Sequence, residues 1–235
     1  MELGDIQKGV VLLVNKPLTW TSFDVVNYIR KMLNVKVGHA GTLDPLATGL
    51  LILCTGAMTK KIDTYQAQEK QYTGIIKIGA TTPSFDLETT IDEVFPITHI
   101  SDESIFNAAA SLTGLIKQQP PLYSAKKIKG ERAYLIARRG DTIEIESRDV
   151  EISQFKITSI ARKEDFINVH FDIICSKGTY IRAIARDMGK VIQSGSHLIE
   201  LCRIRIGDFN LSEAMTMEEI KKMRPNSEDK IKTVG

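Results

Sequence analysis

Three short segments carry the residue types from which a reactive site could be built. The first is Gly38-His39-Ala40-Gly41-Thr42-Leu43-Asp44-Pro45-Leu46-Ala47-Thr48-Gly49. Three glycines in twelve residues, set between apolar segments, indicate a backbone that turns sharply or lies against a ligand. Asp44 precedes a proline, which restricts it to extended conformations and partly fixes the direction of its carboxylate. A carboxylate held in this way can add as a nucleophile or stabilise developing charge. Asp-Pro also opens ordinary turns, and the loop alone does not separate the two uses. A phosphate cradle fits less well, because the Lys-Ser/Thr ending is missing and a strand, not a helix, is expected to follow.

The second segment is Cys175-Ser176-Lys177-Gly178-Thr179-Tyr180-Ile181-Arg182, a strand end turning into a helix. Tyr180 and Arg182 fall in the first helical turn. A guanidinium there can pair bidentately with a carboxylate such as Asp44, or it can simply face solvent. The third segment, Gln119-Pro120-Pro121-Leu122-Tyr123-Ser124-Ala125-Lys126-Lys127-Ile128-Lys129-Gly130, mixes rigid prolines, an aromatic ring and clustered lysines, a composition suited to single-stranded or looped RNA.

Charge is distributed unevenly around these segments. The chain's 31 basic and 29 acidic residues leave a net charge of only +2. Yet residues 78–116 hold six acids (Asp86, Glu88, Asp92, Glu93, Asp102, Glu103) and no Lys or Arg, whereas residues 117–139 hold seven basic groups against Glu131 alone. A dense basic block in a balanced chain is what a polyanion contact requires, although a solvated helix face can look the same.

The elements that must position these residues follow from hydrophobic spacing. Val10–Val14 reads as a buried strand. Thr21 with Asp24 forms a capping-box pattern, and Phe23, Val26, Ile29 and Leu33 recur at helical spacing, which predicts a helix over 22–33. The glycine-rich stretch 38–49 reads as a loop leading into a strand at Leu50–Cys54. Strands are predicted over 71–79, 142–146, 148–160, 166–174 and 198–206. Helices are predicted from Ser101 to Leu112 (stopped by Gly114), over Thr179–Ile192, and over 216–223, which opens with Thr216 and Glu219. Strands joined by short turns with helices interspersed irregularly predict an α+β fold built on a largely antiparallel mixed sheet flanked by helices.

With 235 residues, 43% hydrophobic and 26% charged, the chain has the composition of a globular protein rather than a fibre, a coiled coil or a disordered segment. Its longest aliphatic runs, Val10–Val14 and Leu50–Leu53, fall far short of the roughly 20 residues a membrane-spanning helix needs. The start, Met1-Glu2-Leu3-Gly4-Asp5, is acidic where a leader would be basic, so a cytoplasmic protein is expected. The three cysteines and four histidines lack metal-ligand spacing. Cys54 and Cys175 end apolar runs and read as small buried hydrophobes.

Taken together, these motifs resemble the tRNA pseudouridine-55 synthase family, enzymes that isomerise the uridine of the tRNA T loop. The resemblance runs through residues 10–209. It includes Lys16-Pro17, the GHAGTLDPLATG loop, Lys70-Gln71-Tyr72, PPLYSAKKIKGERAYLIAR, CSKGTYIR, and Leu201…Arg203…Gly207…Phe209. It implies the pseudouridine synthase fold and a single catalytic domain over 1–225, with an RNA-binding insertion at about 117–148 and a flexible tail at 226–235. Asp44 would be the essential carboxylate, Tyr72 would stack on the extruded base, and Arg182 would pair with Asp44. His39, Tyr180, Leu201 and Lys16 would line the substrate pocket. Lys126, Lys127, Lys129, Arg132, Arg138 and Arg139 would grip the RNA. The resemblance further implies a monomer that acts on the tRNA T arm without metal or cofactor.

Such a reaction breaks the N1–C1′ bond, turns the uracil and rejoins it through C5. It needs an ionised carboxylate, which a free Asp at a pKa of about 3.9 supplies at neutral pH and a neighbouring cation preserves on burial. The base must leave its stack, at a cost of a few kcal/mol that aromatic stacking can offset.

Two departures from the family pattern stand out. Thr19 occupies the glycine position of the usual KPxGxT turn, and since a β-branched residue resists positive φ, a different turn is expected there. Only 26 residues follow Phe209, too few for the usual C-terminal RNA-binding domain, so weaker and more salt-sensitive RNA binding is expected. The alternatives are a guide-RNA-dependent synthase subunit and a non-catalytic RNA-binding or RNA-folding protein.

Overall fold

The computed structural model describes residues 3–124, 127–128, 131–132, 139 and 145–223, which form two compact units. The first comprises residues up to Lys70 together with the chain from Cys202 onward. A short helix α1 (Leu3–Lys8) leads into β1 (Val11–Lys16), which pairs antiparallel with β3 (Ala47–Thr55). Alternation along β1 turns Leu12, Val14 and Lys16 inward, so a lysine ends the buried register of an apolar strand. Between β1 and β3 lie α2 (Ser22–Leu33) and the short β2 (Val37–His39), which also pairs with β3.

The boundaries of α2 follow from its ends. Thr21 caps it, its hydroxyl accepting from Asp24 N at 3.0 Å while its own N–H donates to the Asp24 carboxylate at 2.8 Å. Asn34 closes the helix in the left-handed conformation. The buried face is Ser22, Val25, Val26, Ile29 and Leu33. Phe23, which the spacing assigned to that face, is 60% exposed, because the inward position belongs to Ser22.

Strand β3 is buried along nearly its whole length, so it reads as a continuous apolar run. Leu51 and Leu53 join Leu12, Val14, Val25, Val26, Ile29 and Leu33 in one core cluster. Leu50, Ile52 and Cys54 join Ala40 and Ile206 in another. The loop preceding β3 is shorter than the glycines suggested, since Gly38 lies in β2 and Gly49 in β3. Helix α3 (Ile62–Ala67) then leads to the end of the unit's first segment.

The second unit spans Gln71–Leu201. In chain order it holds β4 (Lys70–Ile78) from its second residue onward, the short pair β5 (Ala80–Thr81) and β6 (Glu93–Val94), and α4 (Asp102–Ser111) capped by Ser101. Next come β7 (Gly114–Gln118) and the hairpin β8 (Lys127–Ile128) and β9 (Glu131–Arg132). These are followed by β10 (Arg148–Arg162), β11 (Ile167–Cys175), α5 (Ile181–Val191) and β12 (Ser196–Ile206), whose last five residues return to the first unit.

The unit's sheet runs β12-β4-β11-β10-β7, with β10 antiparallel to both β11 and β7. The inward register of β11 (Ile167, Val169, Phe171, Ile173, Cys175) forms much of the core. The chain leaves this sheet at Gln118 and rejoins it at Arg148, which are register partners. The strand predicted at 142–146 falls mostly outside the described residues.

In the first unit Cys202–Ile206 of β12 lies beside β3, and β13 (Phe209–Asn210) pairs with that segment. Helix α6 (Met217–Lys222), opened by the Thr216–Glu219 capping box, buries Ile220 in the first core cluster. Both units are α+β, and Cys54 and Cys175 are buried as expected. Among the described residues no helix is long and apolar enough to cross a membrane.

Candidate catalytic site

In the first unit, the backbone on either side of Asp44 is held almost group by group. Ser22, the inward residue of α2, brackets Leu43: its hydroxyl donates to the Leu43 carbonyl at 3.2 Å and accepts from Leu43 N at 2.8 Å. Arg203, on β12 and 1% exposed, reaches the other flank. Its Nε donates to Leu50 O at 2.7 Å, its Nη2 to Gly41 O at 3.1 Å and its Nη1 to Thr42 O at 3.5 Å. The approach of β12 explains Gly49, where φ is +102° and a Cβ would collide with the Arg203 backbone carbonyl. The Pro45 carbonyl accepts from Thr19 N at 2.9 Å and from Lys16 Nζ at 3.3 Å. Ala47 N donates to Asp44 O at 3.1 Å, closing the turn that carries the half-buried Asp44.

Lys16 is fully buried, and besides Pro45 it donates to the carbonyls of Pro17 at 2.9 Å and Trp20 at 2.5 Å. Burial lowers its pKa from 10.5 to about 8, against the opposing pull of the Asp44 carboxylate, with Arg203 lowering it further and Asp24 raising it. Lys16 and Asp44 are thus electrostatic neighbours. His39, half-buried at the end of β2, is also pushed below its usual range, chiefly by burial and then by the Arg203 charge, against a weaker backbone contribution from Gly41. Its imidazole is neutral at neutral pH.

The turn containing Thr19 corrects the sequence expectation. Thr19 adopts φ +70°, so the left-handed conformation associated with the family's glycine is kept by a β-branched residue. Such a conformation costs about 1–2 kcal/mol. The Thr19 N–H bond to Pro45, and the convergence of the Pro17 and Trp20 carbonyls on one ammonium, offset that cost.

In the second unit Arg182 is 3% exposed at the start of α5, so it is not a surface arginine. Its Nη1 donates to Ser84 O at 3.1 Å and its Nη2 to Tyr123 O at 2.9 Å, and its Nε lies 3.5 Å from the buried Asp86 carboxylate. Asp86 is fixed in turn by accepting from Glu88 N at 2.9 Å. Phe85, between Ser84 and Asp86, has φ +62°, and this conformation lets a carbonyl and a carboxylate from neighbouring residues meet the same guanidinium. Tyr123 belongs to the proline-flanked segment read as RNA-facing, and its carbonyl serves to hold Arg182.

Tyr180 is the N-cap residue of α5. The fully buried Gln118 grips both of its backbone groups, accepting from Tyr180 N at 2.8 Å and donating to Tyr180 O at 3.2 Å. Tyr72 on β4 and Leu201 on β12 are buried in the same unit.

The predicted pocket residues are therefore distributed between the units. Lys16, His39 and Asp44 gather in the first, and Tyr72, Tyr180, Arg182 and Leu201 lie in the second. Of the predicted RNA contacts, Lys127 and Arg132 are register partners in the β8–β9 hairpin, and Arg139 is exposed. Lys126, Lys129 and Arg138 lie outside the described residues.

Sequence reading gave no role to Arg203, Ser22, Asp86 or Gln118. A signal existed for Arg203, since a charged residue two places after Leu201 falls in the inward register of a strand. Ser22 carried none, because a serine at a helix start reads as an ordinary surface residue. Among the described residues no cluster of His, Cys, Asp or Glu is arranged to hold a metal ion.

A model of the N-terminal domain of TruB-family pseudouridylate synthases matches residues 30–181, and one of the tRNA pseudouridylate synthase B C-terminal domain matches residues 182–233. The chain is 48% identical over 223 residues to tRNA pseudouridine synthase B of Parabacteroides distasonis, covering 92% of this chain and 93% of the relative. It is 51% identical over 216 residues to the protein of that name from Flavobacterium johnsoniae, covering 88% and 93%. Among solved structures, a Cbf5-Nop10-Gar1 complex contains a chain similar to this one, with a TM-score of 0.69 and 26% identity over 91% of this chain. The match spans only 53% of that chain. An H/ACA RNP bound to a substrate RNA shares the fold with the same TM-score of 0.69.

Proposed function

The chain belongs to the TruB family of pseudouridylate synthases, and from that premise we propose that it isomerises uridine 55 in the T loop of tRNA to pseudouridine, using Asp44 as its essential carboxylate. The observation that carries this reading is the fixation of the Asp44 loop. Arg203, Ser22, Thr19 and Lys16 engage Gly41, Thr42, Leu43 and Pro45, so the carboxylate is presented by a backbone already held in place on both sides. Preorganisation of this kind is what an electrostatic or nucleophilic role demands.

In the proposed reaction the uridine leaves the loop's stack and enters the pocket, where Tyr72 stacks on it and Tyr180 and Leu201 line its walls. The N1–C1′ bond breaks and a C5–C1′ bond forms. The C5 proton departs and N1 gains one, so redox state and composition are unchanged. Asp44 serves this exchange as an anion, either adding to the substrate or stabilising the separated fragments. Arg182 completes the site as the cation paired with Asp44, the pairing that the motif resemblance implies, and Asp86 sets the pose of its guanidinium. His39, neutral, occupies the RNA side of the loop. The basic residues between 117 and 139 grip the T arm. With tRNA as substrate, the cytoplasm is the compartment in which the protein would act.

The test is tritium release from C5-labelled uridine in a tRNA transcript. Asp44→Asn should abolish release while leaving T-arm RNA binding within a few-fold. Turnover of that variant near the wild-type rate would overturn the assignment.

A further inference from the structure

Arg148, the first residue of β10, stands where the chain returns to the sheet after the basic segment. Its guanidinium lies over the Tyr180 ring, 4.8 Å from the centroid. Also beside it is Gly178, at φ +84°, where a Cβ would stand 3.3 Å from Arg148 Cζ and Nη1. The guanidinium therefore packs against both an aromatic face and a bare stretch of backbone, and a side chain at position 178 would press on it by a few tenths of an ångström. Gln118, the register partner of Arg148, accepts from Tyr180 N and donates to Tyr180 O, so one cross-strand pair supplies both the hold on the Tyr180 backbone and the cation over its ring.

Such a fixed arginine ordinarily spends its donors on a carboxylate or on carbonyls. Arg148 does not: its Nε is buried without an acceptor, and among the described residues no carboxylate pairs with it. Arg182 offers a partial contrast: its Nε also lacks a hydrogen-bond acceptor, but its Nη1 and Nη2 donate to two carbonyls and the Asp86 carboxylate lies 3.5 Å away. A planar cation that is stacked on an aromatic, half-buried and unmatched by a carboxylate suits the charge and shape of a phosphodiester.

We infer that Arg148 is a phosphate-binding residue, which receives one backbone phosphodiester of the RNA next to the nucleotide held against Tyr180. This inference rests on the proposed role of Tyr180 in the uridine pocket and adds a contact outside it. Stacking on Tyr180 reduces the ordering cost of forming that contact, because the guanidinium is already held in one pose.

The test uses the full chain and a synthetic T-arm stem-loop in which single phosphates are replaced, one linkage at a time, by uncharged methylphosphonates. For the wild type, neutralising one linkage near the target uridine should weaken binding about tenfold, the loss expected for one charge-assisted contact. For Arg148→Ala, overall affinity should fall by a similar factor, the salt dependence should flatten by about one phosphate, and the same methylphosphonate should have no further effect. Arg148→Lys should fall between the two.

Melting curves establish that each variant is folded, and if Arg148→Ala is not, the same linkage scan on Arg148→Lys decides. A linkage profile identical in wild type and variant overturns the inference, because a purely structural arginine would not erase the effect of one particular phosphate. Tritium release by the wild type separates the two proposals. Normal release with an unaltered profile defeats the phosphate contact alone, whereas no release with an Arg148-dependent profile defeats the isomerase reading alone.

Discussion

Arg203 Nη2 donates to the Gly41 carbonyl at 3.1 Å, joining residues 162 positions apart in the chain. The same guanidinium holds Thr42 and Leu50, so one buried side chain ties the Asp44 loop to the strand that follows it. Replacing Arg203 by Met removes donors from three carbonyls at once. Leaving them unpaired costs about 3–9 kcal/mol, at about 1–3 kcal/mol for each. Urea unfolding should show a loss of that size, and isomerisation should fall more than a hundredfold at temperatures where the variant is still folded. Arg203→Lys keeps the charge without the fork and should recover stability only in part. Unchanged activity in Arg203→Met would show that the loop holds its shape without this residue.

Thr19 offers a test in the opposite direction. Its left-handed backbone costs about 1–2 kcal/mol, while glycine there would lose about 0.5–1 kcal/mol more chain entropy on folding. Thr19→Gly should therefore be stabilising by up to about 1 kcal/mol, with turnover unchanged because the N–H bond to Pro45 is retained. Thr19→Pro removes that N–H and cannot adopt the conformation. It should lose both stability and activity, as denaturation and tritium release would report.

These residues also mark what could be read from the sequence. Helix α2 was legible to its last residue because its signals are local, a capping box at Thr21 and apolar residues at helical spacing. The Asp44 loop was recognisable from composition, but its support was not. Lys16 and Arg203 occupy inward strand positions that only pairing with β3 reveals, and Ser22 takes the place that spacing gave to Phe23. The Thr19 turn was misjudged because propensity describes an isolated residue, whereas here three neighbouring carbonyls share one buried ammonium. Asp86 was only one of six acids in a run without basic residues, and nothing local distinguishes the one that faces Arg182.

The lowered pKa of Lys16 predicts a pH dependence of stability. Below about pH 8 its ammonium is charged in both folded and unfolded chains, and above about 10.5 it is neutral in both. Between those values only the unfolded chain binds the proton, so stability rises with pH across the window, by roughly 1–3 kcal/mol. Comparing urea unfolding of wild type and Lys16→Met from pH 7 to 10.5 isolates this contribution, because the variant lacks it. A difference between the two that does not change with pH would contradict a depressed Lys16.

Asp86 acts through Arg182. Asp86→Asn preserves shape and removes the charge facing Nε at 3.5 Å. The expected outcome is a fall of ten- to a hundredfold in kcat, on the order of 1.4–2.7 kcal/mol of transition-state stabilisation, with RNA affinity within a few-fold. A loss confined to KM would instead place Asp86 in RNA binding.

The central claim is that this chain, presenting Asp44 on a pinned loop, converts one particular uridine. It is tested most directly by incubating the purified protein with unmodified tRNA and mapping pseudouridine at single-nucleotide resolution. The account predicts pseudouridine at position 55 with the wild type and none with Asp44→Asn. Modification at another position, or its appearance with the Asp44→Asn protein, would contradict it.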